Sequence, residues 1–91
     1  MNKKTLEITK ACAIVWQNVD YLKDSKRVTD TDVARALNRS KQTVVNRRSH
    51  PRNTTLEDLI KLGRYFEVEP ASLLMPFIPQ VPPRIDDEND D

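Results

Sequence analysis

One glycine among 91 residues is the feature that most limits what this chain can become. Hairpins and bulges of a turn-rich β architecture rely on glycine for backbone conformations with positive φ. With glycine nearly absent, and with Leu, Val, Ile, Ala and Lys plentiful, an all-α fold is expected. The length suits one small domain. Only 37% of the residues are hydrophobic and 5% aromatic, so the core is modest, and domains of this size are often stabilised by oligomerisation.

Residues 4–23 contain neither Pro nor Gly. Within them Ile8, Ala11, Cys12, Val15, Val19 and Leu22 recur at steps of three and four, marking one face of a long helix. Trp16 borders that stripe as core edge, Lys10, Gln17, Asp20 and Lys23 lie away from it, and the polar run KDSKR is expected to break the pattern. Thr29 then opens a second helix, with Asp32 three residues on in a capping-box arrangement. Val33, Ala34 and Leu37 form its apolar face, and Asn38, which tolerates the left-handed conformation, stops it. Ser40 caps a third helix through about Arg48, with Val44 facing the core and Val45 less clearly so.

SHPRN reads as a loop, because Pro51 disfavours helix at His50. TTLE repeats the capping box, with Thr54 as cap and Glu57 three residues later. Leu56, Leu59, Ile60, Leu62, Gly63 and Phe66 make the fourth helix amphipathic. EPASLL predicts a fifth, short helix with Pro70 in its first turn and Leu73 and Leu74 turned inward. These elements define a five-helix domain over residues 1–75, followed at 76–91 by a Pro-rich and acidic tail, extended and then disordered.

Little here suits catalysis. Cys12 stands alone, which excludes an intramolecular disulfide and a Cys-based zinc site, and it is expected to be a small buried hydrophobe. His50 has no second histidine for a metal site. Glu57 and Asp58 read as helix-start chemistry, not a catalytic pair. No phosphate-binding loop and no nucleophile–base pair is evident, so no enzymatic activity and no cofactor are expected. The polar N-terminus and the lack of a long apolar run point to a cytoplasmic protein without a membrane partner.

The net charge of +1 conceals an uneven distribution. DDENDD at the end carries five of the 14 acids, leaving residues 1–85 with 15 bases against 9 acids. RSKQTVVNRRSHPR, at 39–52, holds five Lys or Arg, one His and no acid. A helix over 29–38, a tight turn and a helix over 40–48 is the layout of a helix-turn-helix. Its second helix would expose Lys41, Gln42, Thr43, Asn46 and Arg47, side-chain types that pair with base edges in the major groove. Arg35, Arg39, Arg48 and Arg52 around them can neutralise phosphates. The bland alternative is a solvated surface helix, which is what most charge runs are.

Residues 19–74 resemble the XRE-type helix-turn-helix family of phage Cro and cI-like repressors. Val28, Thr29, Val33 and Ala34 match the family's first helix of the motif, Ser40, Thr43 and Val44 its second. Leu56, Leu59, Leu62, Phe66, Val68, Leu73 and Leu74 match the helix pair that follows. The chain departs from the family in having Asn38 for the turn glycine, Arg47 for an aromatic or Leu, Arg48 and His50 for the acid and glycine that commonly follow, and Gly63 for an alanine. The first helix also begins earlier.

The resemblance implies a lambda-repressor-like fold and a sequence-specific regulator of double-stranded DNA, of phage, prophage or bacterial type. Lys41, Gln42 and Thr43 would touch bases, with Asn46 one turn on. Thr29 and Thr31 would meet phosphate, and Ser40 and His50 complete that expected set. A homodimer on an inverted-repeat operator is expected, without a small-molecule ligand, located in the cytoplasm and on the nucleoid when bound. LLMPFIP, over 73–79, remains open between a lid on the core and a dimer contact. The rival reading is a protein-interaction module on the same fold, such as an antitoxin, anti-repressor or adaptor, with the C-terminus as its working part.

Overall fold

A computed structural model describes residues 3–76, and these are all-helical with no strand among them. Helix α1 spans Lys3–Lys26, α2 Asp30–Leu37, α3 Lys41–Ser49 and α4 Leu56–Phe66. Two 3-10 helices, Pro51–Asn53 and Pro70–Leu74, complete the set. The expected fifth α-helix is thus a 3-10 helix, and four α-helices replace the five. Its five residues are bonded i to i+3, with the Met75 N–H donating to Ser72 O. The carbonyls of Leu73 and Met75 accept from Asn18 Nδ2 at 2.9 and 2.8 Å instead of continuing a helical ladder. The Pro-rich and acidic tail, from residue 77 onward, lies outside the described residues.

α1 does not break at KDSKR. It runs to Lys26, where Arg27 takes a left-handed conformation (φ 58°) and the Val28 N–H bonds back to Lys23 O. Lys23 and Lys26 in the last turn favour the negative end of the helix dipole, which supports those extra residues. Its inward face is Val15, Trp16, Val19 and Leu22, all buried. Ile8 lies on the same stripe yet is 52% exposed, because burial along α1 begins only at Val15. Trp16 is no core edge: it is 2% exposed, and its indole N–H donates to Thr54 Oγ1 at 2.7 Å.

That bond changes the start of α4. The cap is Thr55, paired reciprocally with Asp58, and not Thr54 with Glu57. Leu62, Gly63 and Phe66 are buried on α4 and Leu59 is half-buried, while Leu56 and Ile60 face solvent, as does Leu74. The core gathers α1, α2, α3, α4 and Leu73 around one centre: Val15, Trp16, Val19, Leu22, Val33, Ala34, Leu37, Val44, Leu62, Phe66 and Leu73. No helix is long and apolar enough to cross a membrane among the described residues.

The lone glycine sits where the chain crosses itself closely. A Cβ on Gly63 would lie 2.9 Å from Val68 O and 2.9 Å from Pro70 Cγ. The reversal after α4 needs this approach: Glu67 is left-handed (φ 60°) and the Val68 N–H donates to Gly63 O at 2.9 Å. Gly63→Ala should therefore lower stability by up to about 2 kcal/mol, the overpacking cost of about 1–3 kcal/mol less the helix-propensity gain of about 1 kcal/mol from alanine. Urea unfolding checks it, and an unchanged or higher midpoint would show that the reversal has room to spare.

Candidate functional site

The acid-free stretch folds into the end of α2, the turn after it and α3. Thr29 caps α2: its Oγ1 accepts from the Asp32 N–H, and its own N–H donates to Asp32 Oδ2 at 2.9 Å. Asn38 ends the helix in the left-handed region (φ 56°, ψ 43°), and the Arg39 N–H returns to Ala34 O. Ser40 then caps α3 by accepting from the Thr43 N–H. Three residues thus separate the two helices, each end being closed by its own local chemistry.

Val44 is the one buried residue of α3. Lys41, Gln42, Val45, Asn46 and Ser49 are exposed, and Thr43 is half-buried with its hydroxyl 3.2 Å from Ser40 Oγ. At about 100° per residue, the five exposed positions fall within one arc of about 140°, with Gln42, Asn46 and Ser49 opposite Val44 and Lys41 at its near edge. The Gln42 side-chain amide donates to Asn46 Oδ1 at 3.2 Å across one turn of that arc. Val45 and Ser49 were missing from the sequence-predicted set; turning the helical wheel until Val44 points inward would have found both.

Arg47 and Arg48 turn inward, which is the main departure from expectation. Arg47 Nε donates to Asp58 Oδ2 at 2.9 Å, the arginine side chain being 17% exposed and the aspartate 3%. Burial alone would raise the Asp58 pKa; the Thr55 N–H and Arg47 outweigh it and hold the carboxyl below its usual range. Arg48 grips two carboxylates. Its Nη1 and Nη2 donate to Asp30 Oδ2 and Oδ1 at 3.0 and 2.9 Å, and Nη2 and Nε both reach Asp20 Oδ1. Its guanidinium carbon lies 5.8 Å from the ring centre of Trp16.

Lys23 joins the cluster at 2.6 Å from Asp30 Oδ1. The Arg48 hydrogen bond, opposed by burial and reinforced by Lys23, lowers the Asp30 pKa to about 2. The same contact with Asp30, ahead of burial, raises that of Arg48.

The remaining basic residues face outward. Arg35 makes only an exposed contact to Asp32 at 3.2 Å. Arg39, Lys41 and Arg52 are exposed and form no ion pair among the described residues. Thr31 and Arg35 of α2 and Arg39, Ser40 and Lys41 border an open cleft of about 510 Å³. His50 is exposed where α3 ends, its N–H donating to Asn46 O, and Arg52 follows in the 3-10 helix Pro51–Asn53. The structure thus brings Lys41, Gln42 and Asn46 to one face, leaves Thr43 at its edge, surrounds it with Thr31, Arg35, Arg39 and Arg52, and removes Arg47 and Arg48 from it. Thr29 is exposed beyond α2 with its hydroxyl engaged by Asp32. No His, Cys, Asp and Glu side chains gather in threes as a metal cluster among the described residues.

Two stability measurements follow from these contacts. Arg47→Met strands the buried Asp58 carboxylate and should cost about 3 kcal/mol, whereas Arg35→Met, at an exposed pair, should cost under about 0.5 kcal/mol. Equal losses in chemical denaturation would mean that Arg47 does not anchor α3.

The second measurement uses pH. A carboxylate whose folded pKa is depressed stabilises the fold above its unfolded pKa and loses that effect as the pH falls through the folded value. For Asp30 the window runs from 3.8 down to about 2. The stability difference between wild type and Asp30→Asn should be full at neutral pH, shrink across that window and be smallest at its acid end. A difference independent of pH would sink the assignment.

No protein-family model, curated protein or solved structure matches the chain.

Proposed function

We propose that this chain is a sequence-specific double-stranded DNA-binding regulator in which α2 and α3 act as a helix-turn-helix and α3 enters the major groove. The observation that carries the reading is the division of α3. Val44, Arg47 and Arg48 hold it from within, and Lys41, Gln42, Val45, Asn46 and Ser49 stand bare in a stretch without an acid. Amides pair with adenine through a donor and an acceptor, a lysine suits the two acceptors of guanine, and a valine methyl suits the thymine methyl. Arg35, Arg39 and Arg52, with Thr31, Ser40 and His50 near the helix ends, supply the sequence-independent phosphate contacts.

Arg47 and Arg48 enter this reading as anchors of α3, not as base and phosphate contacts. A homodimer on an inverted repeat fits the size of the domain, since two recognition helices must lie about 34 Å apart to read successive turns. The regulator would act in the cytoplasm by occupying an operator and blocking or recruiting RNA polymerase, as expected from the resemblance to the XRE-type family.

Selection from a random duplex library at physiological salt tests it. An enriched motif is expected, with Gln42→Ala flattening one base position by about 1–3 kcal/mol. Arg52→Ala should weaken all sequences alike and reduce the salt slope by about one. Duplex retention without any enriched motif would leave the protein-interaction reading in its place.

A further inference from the structure

The Gln42 side-chain amide is not free on the exposed face of α3: its Nε2 donates to Asn46 Oδ1 at 3.2 Å. We infer that Asn46 is a positioning residue for Gln42, committing one of its two amide N–H groups and thereby restricting Gln42 to adenine. The inference rests on the DNA reading above and names the base that the site selects.

A primary amide has two N–H donors and one carbonyl acceptor. A free glutamine can therefore present a donor beside an acceptor, which matches adenine N7 and N6. It can also present both N–H groups, which matches the two acceptors of guanine, N7 and O6. Once one N–H is given to Asn46, a single donor remains beside Oε1. The adenine pattern survives and the two-donor guanine pattern is lost.

The spacing favours this coupling. Residues four apart on a helix face each other, and amide pairs at that separation bond across the turn. Gln42 and Asn46 are both exposed, and the neighbouring exposed positions, Val45 and Ser49, bring no charge that would compete for either amide. The nearest bare cation on the arc, Lys41, is a donor and cannot replace Asn46 as acceptor. With its Oδ1 engaged by Gln42, Asn46 keeps its Nδ2 N–H donors, and the two residues act as one unit at one base pair.

The test compares the full-length wild type with Gln42→Ala, Asn46→Ala and Asn46→Asp by selection from the same random duplex library, with helicity checked by circular dichroism. Wild type should enrich adenine at the position that Gln42→Ala flattens. Asn46→Ala should relax that same position toward guanine, the adenine-to-guanine ratio falling roughly two- to tenfold, the worth of one net hydrogen bond. Asn46→Asp keeps the acceptor, so the ratio should hold even though the new negative charge weakens overall binding. Loss of preference at a different position in Asn46→Ala would show that Asn46 reads its own base and overturn the inference, leaving the DNA reading intact. So would a Gln42 position that prefers guanine in the wild type, or a ratio that Asn46→Ala leaves unchanged. A wild type that enriches no motif would overturn the DNA reading and the inference together.

Discussion

The guanidinium of Arg48, held between Asp20 of α1 and Asp30 of α2 beside the ring of Trp16, sets where α3 lies. Nine residues make a helix too short to persist by itself, and α3 buries only Val44. One valine supplies roughly 1.5–3 kcal/mol of apolar burial and leaves rotation about the helix axis nearly free. Arg47 and Arg48 flank Val44 on the wheel, so their contacts pin the axis from both sides. The Arg48–Asp30 contact is a two-point fork, which fixes orientation as well as distance. A lysine in place of Arg48 would keep the charge and lose that geometry.

Local chemistry was readable where one residue decides one helix end. Thr29 with Asp32, Asn38 and Ser40 gave the boundaries of α2 and the start of α3 from sequence alone, because a cap acts within three residues of itself. TTLED defeats the same logic. Thr54 and Thr55 each have an acid three positions on, so two capping boxes compete within one segment. The choice is tertiary: Trp16 takes the Thr54 hydroxyl and Arg47 meets Asp58, which leaves Thr55 as the cap. Periodicity has a related blind spot. It marks Ile8, Leu56 and Leu74 as apolar positions on helical faces, but it cannot say how far along those faces another element lies.

Composition identified the basic segment, and the exposed amides of α3 followed from placing Val44 inward. Composition could not separate Arg48 from Arg52, which differ only in what lies across space from them. Arg47 meets an acid 11 positions away, and Arg48 meets acids 18 and 28 positions away. Asn18 escaped notice for the same reason, since the carbonyls it closes are 55 and 57 positions distant. A polar residue within an apolar stripe is a weak signal until its partner is known.

The electrostatic character of the α3 side therefore depends on where the acids are more than on where the bases are. Elsewhere the two signs alternate: Glu7 lies among Lys3, Lys4 and Lys10, Asp24 beside Lys26 and Arg27, and Glu67 after Arg64. Such mixed surfaces largely cancel beyond a Debye length of about 8 Å in physiological salt. Between Asp32 and Glu57 there is no acid to cancel anything, and the acids that enter this region from elsewhere, Asp20, Asp30 and Asp58, are spent on the inward arginines. Arg39, Lys41 and Arg52 form no ion pair among the described residues, although Glu57, held below its usual range first by Lys61, also feels Arg39. On this side the described bases outnumber the acids left to face them. Moving the acids, without touching a single base, would abolish that excess.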